Sequence, residues 1–142
     1  MRYFILSILC FGLALSLNAQ DILGQWKTID DKTGIEKSIV EIYKKNGKIY
    51  GKIIEIFNDS QRYLPCQFCD GDDNNKPILG LIIIKDMEEK GDIYKGGTIT
   101  NPEDGNVYTC RLKLDEDNPN RLQVRGYIAF FYRTQYWVRV DD

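Results

Sequence analysis

Three cysteines carry the most suggestive chemistry in this chain. Cys66 and Cys69 are spaced as Cys66-Gln67-Phe68-Cys69, and Cys110 lies further downstream. Two thiols at this spacing can close a disulfide, exchange with another thiol, or hold a soft metal. The first expectation is a structural bond, either Cys66–Cys69 or one of these with Cys110. Such a bond staples a long loop and contributes roughly 2–4 kcal/mol. A redox site, in which the third thiol exchanges with that bond, comes second. Zinc held by three thiolates and Asp70 comes last. The chain has no histidine, and three cysteines without one match no closed zinc set. The same absence removes Ser-His-Asp and Cys-His catalysis and any histidine pH switch. No metal, no cofactor and no enzymatic activity is expected.

A second group mixes charge with aromatic character. Glu55, Tyr108, Arg133 and Gln135 are expected to point inward near one end of the fold. For Arg133 and Gln135 this follows from setting Arg139 on the Trp26 side of the last strand, and the other face, Thr134, Tyr136, Val138 and Val140, is the alternative. Either Arg133 pairs with Glu55, because an unpaired buried charge is costly, or it holds a carboxylate or phosphate while apolar walls take the rest of a ligand. Phe130, Phe131 and Tyr132 cap the core or offer an apolar patch to a ligand or partner protein. Asp70-Gly71-Asp72-Asp73-Asn74 begins like a calcium loop. Asn75 stands where the sharp-turn glycine belongs and Leu81 where the closing glutamate belongs, so a solvated acidic loop is expected. Arg111, Lys113, Arg121 and Arg125 form a basic stripe that reads as a solvated face.

Positioning these groups falls to strands. Met1-Arg2, the apolar run Phe4 to Leu17 and Asn18-Ala19-Gln20 form a secretory signal peptide pattern, with cleavage expected after Ala19. The run falls short of the about 20 residues that span a bilayer. The expected division is a signal segment at 1–19 and one barrel domain at 20–142. Lys and Arg number 19 against 21 Asp and Glu, for a net charge of −2, so nothing supports a nucleic-acid partner.

Leu23 to Ile29 is the first predicted strand. Glu36 to Lys44 and Lys48 to Phe57 form a hairpin about Asn46-Gly47, a preferred two-residue turn. That turn sets Tyr43 opposite Tyr50, Glu41 opposite Lys52 and Ile39 opposite Ile54. Val40 and Ile53 then face inward, with Glu55 inward near the strand end. After a long loop, Asn58 to Pro77, further strands are predicted at Ile78–Ile84, Asp92–Thr100, Val107–Leu114, Arg121–Tyr127 and Arg133–Val140. Lys85 to Gly91 reads as a charged connection. Eight short strands in antiparallel succession give an all-β, eight-stranded up-and-down barrel. Its interior is either filled by side chains or holds one small ligand.

In such a meander alternate connections share an end. The Asp30–Gly34 turn, the Cys66 loop, Asn101–Gly105 and the Ile128–Tyr132 segment gather at a mouth, and Cys110 starts down from the same end. Trp26 and Arg139 meet at the opposite, closed end. Gly24-Gln25-Trp26 on a first strand, with an arginine ending the last, resembles the lipocalin or calycin pattern, in which the tryptophan plugs the base and the arginine packs across it. The helix that follows typical lipocalin barrels is missing here. A closer resemblance runs through nearly the whole mature chain, on Asn46 to Ile53, Cys66-Gln67-Phe68-Cys69, Gly96-Gly97, Asn101-Pro102, Tyr108-Thr109-Cys110, Val124 to Tyr127 and Arg133 to Trp137. These motifs are similar to the exported bacterial family known as domain of unknown function 2147. That resemblance implies a lipocalin-like barrel outside the cytoplasm and no established reaction.

The functional expectation is an exported, periplasmic or secreted protein that binds a small, partly apolar, anionic molecule. The ligand-binding candidates are Glu55, Tyr108, Phe130, Tyr132, Arg133 and Gln135. The alternative is a filled barrel serving as an envelope protein–protein interaction module, with a thiol-redox role third.

Overall fold

The structure, a computed structural model, describes residues 21–141. The predicted signal segment lies outside the described residues. Eight strands close into one barrel: β1 (Gly24–Ile29), β2 (Glu36–Lys45), β3 (Lys48–Ile56), β4 (Ile82–Lys90), β5 (Ile93–Thr100), β6 (Val107–Leu114), β7 (Arg121–Ile128) and β8 (Phe131–Arg139). Each pairs antiparallel with its sequence neighbour, and β8 returns to β1 with Trp26 opposite Arg139. This is the up-and-down barrel expected from the strand count. Closure satisfies the edge N–H and C=O groups that an open sheet leaves free.

Turn chemistry and alternation place the residues. Asn46 and Gly47 both take positive φ, 51° and 79°, as the hairpin turn requires. Tyr43 therefore pairs with Tyr50 and Glu41 with Lys52, as expected. Val40, Ile42, Ile49 and Ile53 turn inward with Ile84, Met87, Leu112 and Leu122 to form the core. Burying a side chain of this size is worth about 1.5–3 kcal/mol.

The base is closed. Trp26 is fully buried and its Nε1 donates to the Ile22 carbonyl at 2.8 Å. The Arg139 guanidinium lies 4.3 Å above the indole and donates to the carbonyls of Leu23 (3.1 Å) and Asp21 (2.8 Å).

Three expectations are corrected. First, β4 begins at Ile82, not Ile78. Ile78 and Gly80 instead give their N–H groups to Leu64 and Ile53 and complete the preceding loop. Lys85 to Lys90 is strand, not connection, because Asp86 takes φ 59° and bends β4 without ending it. Second, β8 begins at Phe131. Ile128 pairs with Phe131, so the expected aromatic loop is a tight turn at Ala129-Phe130. Third, the β2–β3 register slips between Ile39 and Val40. Ile39 faces Glu55 and Ser38 faces Ile56, leaving Ile54 as the extra residue of a bulge. Ile56 takes the inward position and Glu55 turns out.

Candidate functional site

The mouth end holds a cavity of about 470 Å3, within the range of small-molecule sites. Its walls are Ile53, Ile83, Ile99, Val124 and Trp137, inward residues of β3, β4, β5, β7 and β8. Side chains therefore do not fill this half of the barrel. Gly126 lies within the wall. A Cβ there would meet Tyr108 Cβ at 3.2 Å, so the glycine makes room for the phenol to lie across the wall. Polar groups sit above the apolar floor. Thr28 and Ser38 share a hydrogen bond at 2.7 Å, and Trp137 Nε1 donates to Gln135 Oε1 at 3.1 Å.

Two ion pairs stand at the rim. Arg133 holds Asp31 of the β1–β2 turn through both Nε and Nη2, with Nε 2.8 Å from Oδ2. These hydrogen bonds keep the Asp31 carboxyl below the ordinary carboxylate range and raise the guanidinium in turn. Lys37 pairs with Glu103 of the β5–β6 turn. The rim cations are thus already neutralised.

The long loop between β3 and β4 forms the lid. Cys66 and Cys69 are bonded to each other. The loop is tied internally: Cys66 N–H donates to Lys76 O (2.7 Å), Asn75 N–H to Cys66 O (2.9 Å), and Pro65 bridges Pro77. The Asn74 side chain donates to the Cys69 carbonyl at 2.9 Å. Asp73, at the end of a short 3-10 turn, accepts from Lys85 on β4 at 2.5 Å. Lys85 holds that carboxyl below its ordinary range. On its inner side the loop gives Leu64, Pro65, Gln67 and Phe68 to the cavity.

The predicted site residues separate into two groups. Tyr108, Arg133 and Gln135 line the cavity. Glu55 does not: the bulge sends it outward, where it pairs with Arg62 at 3.3 Å. Phe130 and Tyr132 do not line it either. Phe130 is 99% exposed at the hairpin tip, and Tyr132 alternates to the outer face, where its ring lies under Arg125 at 4.6 Å. Cys110 is buried, unbonded and outside the cavity lining, and burial pushes its thiol up to about 12. Cys66 Sγ faces the Pro102 carbonyl at 3.6 Å, and Cys110 is unbonded, although all three cysteines belong to the one buried cluster. A thiol so raised carries almost no thiolate at neutral pH, which removes the attacker from the redox reading. Among the described residues no group of three or more acidic or cysteine side chains could hold a metal.

Over residues 24–139 the sequence matches the family described as "Uncharacterized protein conserved in bacteria (DUF2147)". The chain belongs to that family. No curated protein matches it. Among solved structures, the DUF2147 chain is similar to protein HP1028 from the human pathogen Helicobacter pylori, described as belonging to the lipocalin family. The TM-score is 0.73 at 22% identity, covering 86% of this chain and 84% of that one. At that identity the likeness speaks for the fold alone.

Sequence reasoning passed over Asp31, Lys37 and Glu103. Asp31 was within reach, since its turn lies at the mouth and closure makes β1 and β8 neighbours. A further feature of this DUF2147 barrel is its rim. Ile35, Tyr63, Leu64, Phe68, Phe130 and Phe131 are all exposed, and all belong to the connections or strand ends at the mouth.

Proposed function

We propose that this chain is an exported binding protein that holds one small, largely apolar molecule inside the barrel and admits it past the Cys66–Cys69 lid. The observation that carries this reading is the cavity of about 470 Å3, apolar below and polar at the top. Apolar walls supply affinity, and Tyr108 and Gln135 orient a polar end. The geometry favours a neutral polar end over an anionic one, because Asp31 already satisfies Arg133 and an anion must displace it. Export rests on the N-terminal apolar segment and on the disulfide, which persists in oxidising compartments. Among the described residues no helix is long and apolar enough to cross a membrane. A binding role, not a catalytic one, is supported by the lack of histidine and by the buried, protonated Cys110.

The test is native mass spectrometry of protein taken from its own host, followed by titration of the stripped protein with an environment-sensitive apolar dye. A co-purifying mass lost on extraction, and dye binding abolished by Ile99→Trp without loss of fold, support the proposal. Ligand-free preparations, together with equal dye binding by wild type and Ile99→Trp, refute it.

A second reading has its own observation. The exposed aromatic rim suits an envelope protein partner that covers the mouth. Phe130→Ser with Phe131→Ser should then abolish capture of that partner and leave dye binding unchanged.

A further inference from the structure

The outer wall opposite the cavity lining carries an unusual charge arrangement. Arg111 of β6 and Arg125 of β7 stand directly opposite each other in register. Both point outward, since Cys110, Leu112 and Val124 beside them are buried. Like charges at facing positions of neighbouring strands destabilise a sheet. Elsewhere on this wall the positive charges are compensated: Lys113 pairs with Glu116 at 3.0 Å and with Asp92 at 3.7 Å, and Arg121 pairs with Asp115 at 2.8 Å. Among the described residues neither Arg111 nor Arg125 has a carboxylate partner.

The two guanidiniums are nonetheless held in place. Arg125 Nε donates to Thr134 Oγ1 at 2.8 Å and its plane lies over the Tyr132 ring, which leaves its terminal N–H groups to point elsewhere. Arg111 Nε is buried and makes no hydrogen bond. Such donors are rare, and Arg139 Nε at the base is another; the buried atom marks a tightly held guanidinium, not the ligand contact itself. Tyr127 follows Arg125 on the same outer face of β7, opposite Thr109. Burial works to raise its phenol, but Arg125 and Arg111 outweigh this and hold it below the ordinary phenol range. A concavity opens beside the two arginines, lined by Arg111, Arg121 and Arg125 with Lys113, and also by Asp115, Glu116 and Asp117; Tyr127 stands outside its lining. Asp115 and Glu116 are taken up by Arg121 and Lys113. Among the described residues this leaves Arg111 and Arg125 facing Asp117 as the one carboxylate there without an ion pair.

We propose that Arg111 and Arg125, with the Tyr127 hydroxyl, form an external binding site for a doubly charged tetrahedral oxyanion of the phosphate class. The charge count selects the class. A carboxylate brings one charge and two coplanar oxygens, which a single guanidinium fork satisfies. Two adjacent forks and a phenol match a group with about −1.5 to −2 charge and three accepting oxygens. The site is separate from the barrel cavity, so the ligand of one does not occlude the other.

The experiment follows the side-chain Nε–H signals of the arginines by nuclear magnetic resonance while inorganic phosphate is added at constant ionic strength. The expected result is a saturable shift confined to Arg111, Arg125 and their neighbours. It should weaken about tenfold or more in Arg111→Gln and in Arg125→Gln, as the loss of a charge-assisted hydrogen bond predicts. Lys48→Gln, on the β2–β3 hairpin and away from the concavity, should bind as wild type does. Arg111→Gln relieves a like-charge contact and should melt no lower than wild type. Arg125→Gln relieves the same contact but gives up the Thr134 hydrogen bond and the stacking on Tyr132, so its fold is checked by circular dichroism. If either disturbs the fold, Arg111→Lys keeps the charge but loses the planar fork, and it should still bind more weakly. A second arm measures sedimentation with phosphatidylcholine vesicles with and without phosphatidic acid. Arginine-dependent binding to the phosphatidic acid vesicles assigns the phosphate to a lipid headgroup, and binding to inorganic phosphate alone assigns it to a soluble ligand. No saturable shift with phosphate and no vesicle binding, or equal affinity in wild type and both Gln variants, overturns the proposal.

Discussion

The lid can be tested through two glycines that differ in only one respect. The β1–β2 and β5–β6 connections are the same turn built twice. Asp30 N–H donates to Ile35 O and Gly34 N–H to Asp30 O; Asn101 N–H donates to Asn106 O and Gly105 N–H to Asn101 O. Gly34 and Gly105 take φ +73° and +76°. A side chain in this left-handed region costs about 1–2 kcal/mol. Their surroundings differ. A Cβ on Gly34 meets nothing within 4 Å, whereas on Gly105 it falls 2.9 Å from Phe68 Cβ and deeper still into the Phe68 carbonyl. Gly34→Ala should therefore lose only the conformational term. Gly105→Ala should lose the same amount plus an overpacking cost of about 1–3 kcal/mol, because the Phe68 segment must lift away. For a barrel of this size about 1 kcal/mol corresponds to about 4 °C in Tm. Urea denaturation of both variants gives the difference directly, and stopped-flow dye release gives the functional consequence: faster release in Gly105→Ala, unchanged release in Gly34→Ala. Equal destabilisation of the two, with equal release rates, refutes the packing of Phe68 on this turn.

Asp31 and Asp73 both titrate below their ordinary value because Arg133 and Lys85 hydrogen-bond them. Each folded-state pKa lies below that of the unfolded chain. Their contribution is therefore complete above the unfolded carboxylate pKa of about 3.9 and is lost as pH falls through the depressed folded value. Melting curves between neutral and acidic pH should show a steep loss at the acid end, and that loss should flatten in the Asp31→Asn, Asp73→Asn double variant. Reducing the Cys66–Cys69 bond, or replacing both cysteines by serine, should cost roughly 2 kcal/mol for so short a loop. Hydrogen exchange should place the added mobility in the lid and not in β5–β7. At the closed end, Arg139→Met removes the donor to the Leu23 and Asp21 carbonyls and the cation above Trp26. A loss of about 2–4 kcal/mol is expected by thermal melting, without change in dye affinity, because the base does not touch the cavity.

The barrel was legible because its signals are local and repeated. Asn46-Gly47 permits one tight turn, and that turn alone set the first half of the β2–β3 register. The register then failed at a single bulge. Ile53-Ile54-Glu55-Ile56 offers an isoleucine to the core in either phase, so alternation could not tell which residue is inserted, and Glu55 was placed on the wrong face. A similar ambiguity shifted β4. Ile78 to Ile84 is apolar on both faces, and only the hydrogen bonds of Ile78 and Gly80 to Leu64 and Ile53 decide that the first four residues belong to the lid. The inward face of β8 rests on a longer inference, from Arg139 across to Trp26 and back by alternation to Gln135 and Arg133, and the opposite face, Thr134, Tyr136 and Val138, stays open until the structure buries Trp137. Asp31 escapes strand alternation altogether, because this partner of Arg133 lies in a turn. Choosing between Cys69 and Cys110 as the partner of Cys66 depended on which way the lid folds, and spacing carries no information about that.

The two ends of the barrel are closed by opposite means, and the contrast bears on function. At the base a fully buried indole, an arginine and backbone carbonyls interlock, and nothing there can part without exposing Trp26 and stranding Arg139. At the mouth the lid is stiff within itself but joined to the barrel by few bonds. The disulfide and the Pro65–Pro77 bridge hold its centre. Its ties to the barrel gather at the stems, Phe57 to Lys37, Arg62 to Glu55 and the Ile56 carbonyl, and Gly80 and Leu81 to Ile53, with Asp73 to Lys85 and the Phe68 packing on Gly105 between them. Such a segment moves as a unit about its two stems sooner than it frays. On the binding role proposed above, opening about those stems is the expected route to the cavity, since it leaves the core of Val40, Ile84, Leu112 and Leu122 undisturbed. The disulfide then has a role beyond stability. On that route it should keep the inner surface of Leu64, Pro65, Gln67 and Phe68 in one shape, and the Cys66→Ser, Cys69→Ser variant should bind the dye more weakly even where the barrel stays folded.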